Sequence, residues 1–170
     1  RTFLEEALRR LRPWTRFRVV AGRGPGERVP PAVPWLRDPP GAGGPLAGIA
    51  RAGLVFPAAH YLVLALDIPG ARPDLLVDAA RRHPGRAVIG AAPDGSWQPL
   101  AGLYPRAEVR RALRMFRRGE RRPMAWVRAG EFPPVTVPGP WWANVNTPEE
   151  AAGYLGAVVR APIPAAGDRS

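Results

Sequence analysis

Tyr61-Leu62-Val63-Leu64-Ala65-Leu66 runs without a charged residue and then stops at Asp67-Ile68-Pro69-Gly70. An apolar run of this length, closed by Pro and Gly, reads as a strand buried on both faces. An ionised carboxylate at its carboxyl end is costly unless something pairs with it. In open α/β sheets ligands bind outside the carboxyl ends of the strands. A single Asp placed there is a suitable ligand for a hard cation that carries a phosphate.

Working outward, helices and strands alternate around this run. Thr2-Phe3-Leu4-Glu5 is a capping box opening a helix with Leu4, Leu8 and Leu11 on one face. Residues 17–20 read as a strand closed by Gly22 and Gly24, and 32–36 as a second short strand before Asp38. A helix started by Pro45 follows the loop 39–44, with Leu46, Ile49 and Leu54 along it. Beyond Asp67, 73–82 reads as a helix with Leu75, Leu76 and Ala79 inward, and 87–91 and 99–104 as short strands. From Ala107 the stripe Val109, Ala112, Leu113, Phe116 is helical. Residues 135–137 are a strand candidate, and Thr147-Pro148-Glu149-Glu150 is a capping box with Pro at the first helical position. This alternation predicts a mostly parallel α/β sheet.

A length of 170 residues favours one domain with a sizeable core. No segment reaches transmembrane length and no secretory signal is visible. The absence of Cys excludes disulfides and thiolate metal sites and fits a cytoplasmic protein. Only His60 and His83 are available for histidine chemistry, and both read as structural. The net charge is +11, and all 25 basic residues are Arg, nine of them between Arg106 and Arg128. Such an excess marks either a phosphate-bearing partner or solvated helix faces of Arg-biased composition. The recognition motifs of nucleic-acid-binding modules are absent, so neither nucleic acid nor membrane is expected as a partner.

Three features carry candidate chemistry. The 41–44 glycine loop ahead of a helix can cradle an anion, although it lacks the Gly-Lys-Ser/Thr ending of a P-loop. Asp38 is either a turn residue or, with Asp67, the second carboxylate on the carboxyl edge. Asn144 and Asn146 alternate ahead of the last helix, so they point the same way. Either they end a strand and lead to the Thr147 cap, or they hydrogen-bond a ligand or ligate magnesium. Trp141 and Trp142 just before them read as packing residues.

Six motifs then fall in order and at compatible spacing from about Thr2 to Leu155. They are Asp38; Gly44-Pro45-Leu46-Ala47-Gly48-Ile49; Leu66-Asp67-Ile68-Pro69; Pro99-Leu100 with Leu103-Tyr104-Pro105; Gly119-Glu120-Arg121-Arg122-Pro123-Met124; and Asn144-Val145-Asn146-Thr147-Pro148-Glu149-Glu150. Together they resemble the molybdenum cofactor guanylyltransferases, which attach GMP to molybdopterin to form the guanine dinucleotide cofactor. The resemblance implies a three-layer, Rossmann-like, nucleotide-diphospho-sugar-transferase-like α/β fold with a mostly parallel sheet. It implies GTP and molybdopterin as substrates, magnesium as cofactor, and molybdenum cofactor delivery proteins among the partners. It makes Asp67 the catalytic magnesium ligand, with Asn146 as the second. It puts Asp38, Gly44, Pro45, Leu46 and Asp67 at the nucleotide, and Asn144, Asn146, Arg121 and Arg122 on the molybdopterin side.

Members of that family open with a strand and a loop of the type Leu-Ala-Gly-Gly-x-Ser-x-Arg-Met-Gly followed by Asp-Lys, which wraps the triphosphate and supplies a catalytic Lys. The present sequence shows none of this, contains no Lys, and has Ala21 where some members carry Asn. The expectation is therefore a single nucleotidyltransferase domain over 1–170 whose first strand and phosphate loop are missing from the sequence. The rival readings are a transferase using CTP or a sugar phosphate, a molybdopterin-binding remnant, and a basic nucleic-acid-binding module.

Overall fold

The computed structural model describes residues 2–22, 29–38, 43–131, 133–147 and 149–152. Arg1, residues 23–28, 39–42, Phe132, Pro148 and the stretch from 153 lie outside it, so Gly24, most of the proposed glycine loop and the rest of the segment expected to be the last helix are not described. Among the described residues no helix is long and apolar enough to cross a membrane.

Local chemistry sets most of the elements. Helix α1 (Phe3–Leu11) starts at the predicted capping box: the Thr2 hydroxyl accepts the Glu5 N–H at 3.2 Å, and the Glu5 carboxylate accepts the Thr2 N–H at 3.0 Å. Strands β1 (Val20–Gly22) and β2 (Trp35–Arg37) pair in parallel. Helix α2 (Pro45–Val55) has Pro in its first turn. Strand β3 (His60–Leu64) leads to Asp67, and α3 spans Pro73–Arg82, again with Pro at its start. Strands β4 (Val88–Ala91) and β5 (Trp97–Pro105) precede α4 (Arg106–Arg117) and α5 (Pro123–Arg128). Strand β6 (Val135–Pro138) runs into a 3₁₀ turn over Pro140–Trp142.

The strands form a pair, β1-β2, and a four-stranded sheet in the order β3-β5-β4-β6. In the larger sheet β5 is antiparallel to both β3 and β4, while β4 and β6 are parallel. Three of its four strands therefore share one direction. Helix α2 sets the pair in that same direction. It starts where the Gly44 N–H bonds the Asp38 carboxylate just past β2, and it ends at Phe56, whose carbonyl accepts the hydroxyl of Tyr61 in β3. The helix thus runs back along the strands, so β2 and β3 point the same way, as a β-α-β unit requires. The fold is mostly parallel α/β, as expected.

Alternation of side chains divides the core into two layers, one on each face of the larger sheet. Ile89 and Tyr104 pack with Leu46 and Ile49 of α2, Val109 and Ala112 of α4, and Trp126 and Val127 of α5. Val88, Ala101 and Leu103 face the opposite way, onto Leu76 and Ala79 of α3 and onto Trp142. Helices α2 and α4 approach closely because Gly53 has no side chain: a Cβ there would stand 2.3 Å from Val109 Cγ1, itself buried. Gly53→Ala is therefore expected to destabilise the domain by about 1–3 kcal/mol through overpacking, against its helix propensity gain of about 1 kcal/mol. Urea titration checks this, and Val109→Ala in the same chain is expected to restore most of the loss.

Five expectations shift. The run 61–66 is a strand only to Leu64, and its residues are half-buried instead of enclosed on both faces. Among the described residues β3 has β5 on one side only, and its other edge borders a cavity. Residues 17–19 precede β1 instead of forming it, and β2 lies nearer Asp38 than predicted. Helix α5 was not foreseen, for six residues after Pro123 carry too little periodicity to reveal it. Residues 143–146 have no regular secondary structure and are not part of the sheet, so Asn144 does not end a strand.

Candidate functional site

A cavity of about 1120 Å³ lies along the edges of β1 and β3 that no described strand pairs with. At its carboxyl-edge rim it is bordered by Asp38, Gly44, Pro45 and Asp67. The sequence-based expectation of two carboxylates on this edge beside a helix start is met.

Asp38 follows β2 directly. Its Oδ2 accepts the Gly44 N–H at 3.2 Å, while its Oδ1 is buried with no hydrogen-bond partner among the described residues. A buried carboxylate oxygen without a donor is costly, and a ligand N–H or O–H would satisfy it. Gly44 sits at φ 114°, a conformation that suits glycine, which lets its amide turn back to Asp38 while Pro45 opens α2. The Leu46 side chain is fully buried in the core with Ile49 and Trp126. It positions the helix start but, with no exposed surface, does not itself border the cavity, so the expectation of Leu46 at the nucleotide is not met by direct contact.

Asp67 lies in the turn after β3. The segment 144–146 is brought against it: the Val145 N–H donates to the Asp67 carbonyl at 2.7 Å, and Asn144 Nδ2 donates to Asp67 Oδ2 at 3.4 Å. Two features hold that segment. On one side Trp142 is fully buried against Gly90, where any Cβ would stand 2.4 Å from the indole ring. On the other side the Glu150 carboxylate accepts the Asn146 N–H at 2.7 Å and the Thr147 N–H at 3.3 Å, while the Thr147 hydroxyl accepts the Glu150 N–H at 3.1 Å. The second predicted capping box is therefore present, and its work is to fix the backbone beside Asp67. Asn144, more than Asn146, meets the Asp67 carboxylate. Sequence alternation could not separate the two, because the segment is not a strand.

The donor set suits a hard cation. Among the described residues there is no group of three or more His, Cys, Asp or Glu side chains that could hold a metal. Magnesium needs no such cage. It keeps several waters and takes one or two carboxylates plus substrate phosphates, and Asp67 with a neighbouring amide oxygen offers hard oxygen ligands of that kind.

Arg121 and Arg122 do not border the cavity. Arg121 stacks over Phe116 at 4.2 Å and donates to its carbonyl at 2.8 Å, and Arg122 pairs with Glu120 at 3.1 Å with its side chain mostly exposed. Nearer the site, Arg72 pairs with Asp74 and lies 5.4 Å above the Trp141 ring. The guanidinium of Arg72 holds the Asp74 carboxyl below its usual range.

Helix α1 docks on the loop that carries Asp67. Arg10 Nη1 donates to the Ala71 carbonyl at 2.9 Å, and Glu6 orients Arg10 at 2.8 Å. Hydrogen bonding from Arg9, with Arg10 adding to it, lowers the Glu6 pKa from 4.5 to about 2. The native state thus favours the ionised carboxylate. Its contribution is full above about pH 4.5 and disappears as pH falls towards 2. Glu6→Gln is expected to lower the urea midpoint at pH 7 and to flatten its fall across that acid window.

The family model of the MobA-like NTP transferase domain matches residues 1–134. A relative from Rhodopirellula baltica, described as "Probable molybdenum cofactor guanylyltransferase", is 30% identical over 162 residues, covering 88% of this chain and 76% of its own length. Among solved structures, molybdopterin-guanine dinucleotide biosynthesis protein A from Archaeoglobus fulgidus superposes with a TM-score of 0.69 at 18% identity, over 94% of this chain and 86% of that one. The 2-C-methyl-D-erythritol 4-phosphate cytidylyltransferase of Thermus thermophilus gives 0.71 at 20% identity, over 95% and 90%. At these identities the two structures share the fold.

Proposed function

Since the chain belongs to the family of MobA-like NTP transferase domains, we propose that it transfers GMP from GTP to molybdopterin, forming the guanine dinucleotide cofactor and pyrophosphate. The observation that carries the reading is the junction of Asp67 with 144–146, which joins two motifs 77 residues apart at the carboxyl edge of the sheet.

In this reaction an anionic oxygen of the molybdopterin phosphate attacks the α-phosphorus of GTP. The new P–O bond forms as the bond to the bridging oxygen of the β-phosphate breaks, and that electron pair leaves with pyrophosphate. The nucleophile is already deprotonated, so no strong general base is required, and catalysis is positioning plus charge neutralisation. Asp67 would hold magnesium, which neutralises charge on the α-phosphate when bound. Asn144 keeps the Asp67 carboxylate in place and leaves its own Oδ1 available, and Asn146 is the second amide on that side. Asp38 would accept a donor from the guanine nucleotide through its orphaned Oδ1, beside Gly44 and Pro45. Arg121 and Arg122 belong to the molybdopterin side, where a phosphate would compete with Glu120 for Arg122. The reading places the enzyme in the cytoplasm, supplied with molybdopterin by delivery proteins.

The test is magnesium-dependent nucleotide binding together with single-turnover formation of the dinucleotide from molybdopterin. GTP is expected to bind at least about tenfold more tightly than CTP, a discrimination of about 1.4 kcal/mol. Equal binding of the two, or none of either, would refute the guanylyl assignment.

A further inference from the structure

The loop that carries Asp67 is held at both ends by groups outside it. At its start the Asp67 carbonyl accepts the Val145 N–H at 2.7 Å. At its end the Ala71 carbonyl accepts Arg10 Nη1 at 2.9 Å, a bond that spans 61 residues. Between them the turn closes on itself: the Ile68 N–H donates to the Ala65 carbonyl at 3.4 Å, and the Ala71 N–H to the Ile68 carbonyl at 3.1 Å. Ile68 and Ala71 are buried in the core layer that holds Leu76 and Trp142. The backbone they belong to is therefore packed as well as hydrogen-bonded.

Arg10 is prepared for its contact. Its side chain is only 17% exposed, and its Nε donates to Glu6 Oε1 at 2.8 Å, one turn earlier on α1. A guanidinium presents its donors in a fixed fork, so a carboxylate on one edge aims the remaining nitrogens. Here they are aimed at the Ala71 carbonyl. Phe3 and Ala7 line one small pocket with Arg10, Leu64, Leu66 and Ile68, so apolar side chains surround the contact. The neighbouring Arg9 makes the comparison. It pairs with the same Glu6, Nε to Oε2 at 2.9 Å, yet its side chain is 54% exposed and it has no bond to the loop among the described residues.

Arg10 does not border the large cavity, whereas Asp67 does. Its bond goes to loop backbone and leaves the Asp67 carboxylate untouched. A side chain that offers a ligand from a loop must be held to within about 0.5 Å, and that accuracy comes from the groups supporting it.

We propose that Arg10 is a positioning residue for Asp67: by tying the Ala71 carbonyl to α1, it fixes the turn whose first residue presents its carboxylate at the cavity rim. The consequence for a bound cation rests on the nucleotidyl-transfer reading; the hold on the loop does not.

Arg10→Gln and Arg9→Gln test this in the full chain. Each removes one partner of Glu6, and only the first removes a bond to the loop. Hydrogen–deuterium exchange is followed in the peptide 66–72, with 88–91 of β4 as the internal reference for global unfolding. Arg10→Gln is expected to raise loop exchange relative to the reference by about tenfold. It is also expected to weaken manganese binding, followed by electron paramagnetic resonance, by about tenfold. Arg9→Gln, which loses an exposed pair, is expected to change either readout by less than about twofold. Equal effects of the two variants would overturn the proposal. So would a faster loop with unchanged manganese affinity, where Asp67→Asn abolishes that affinity. A native protein that binds no manganese, with its loop still released by Arg10→Gln, would refute the cation reading and uphold the hold of Arg10 on the loop.

Discussion

Asp67→Asn is expected to reduce GMP transfer by about 10²–10³-fold while leaving the fold intact. The amide is nearly isosteric with the carboxylate, and the structural bond at this position uses the backbone: the Val145 N–H donates to the Asp67 carbonyl, which the substitution preserves. What disappears is the negative charge that would hold a divalent cation against the triphosphate. The loss is therefore expected in turnover and in cation affinity together, with an unchanged circular dichroism spectrum and urea midpoint. Manganese titration followed by electron paramagnetic resonance separates the two readouts from stability. A variant with full magnesium-dependent activity would remove Asp67 from the reaction. Asn144→Ala, which deletes the long 3.4 Å contact to the carboxylate, is expected to give a smaller loss of the same kind.

Trp126→Ala is expected to cost about 3–5 kcal/mol of stability. The indole is fully buried, stacks on Tyr104 with ring centroids 4.4 Å apart, and donates from Nε1 to the Glu108 carbonyl at 3.0 Å. It therefore joins α5, β5 and the first turn of α4. Removing it opens a cavity in the core layer that also holds Leu46 and Ile49 at the start of α2, and so loosens the support of Asp38 and Gly44. Against a typical domain stability of about 5–15 kcal/mol, a loss of this size is plain in urea unfolding. Trp126→Phe keeps most of the apolar area and gives up the hydrogen bond, so its cost is expected to be nearer 1 kcal/mol.

The parts of the fold legible in the sequence are those whose causes are local. Thr2 and Glu5 cap α1 through their own side chains, and α3 occupies 73–82 because Pro73 starts it and its apolar residues recur at helical spacing. Asp67 and Asp38 were readable as carboxylates past strand ends, and the Thr147–Glu150 capping box forms as written. The family resemblance was carried by short motifs, and the family match covers most of the chain.

Other features depend on partners far away in sequence. The apolar run 61–66 was compatible with a strand enclosed on both faces, and only the tertiary arrangement leaves one edge of it, among the described residues, on a cavity. Nothing local makes β5 run against its neighbours; pairing with β3 and β4 does. Asn144 and Asn146 are equivalent as a pattern. Which one reaches Asp67 is decided by Trp142 buried at Gly90 on one side and Glu150 on the other. Residue spacing alone determined the approximate place of most helices and strands, α5 excepted, and the carboxylates that stand past the ends of β2 and β3. The tertiary structure decided which edges meet, which stay open, and which amide faces the carboxylate, because those outcomes come from hydrogen bonds and packing between segments that sequence order does not place side by side.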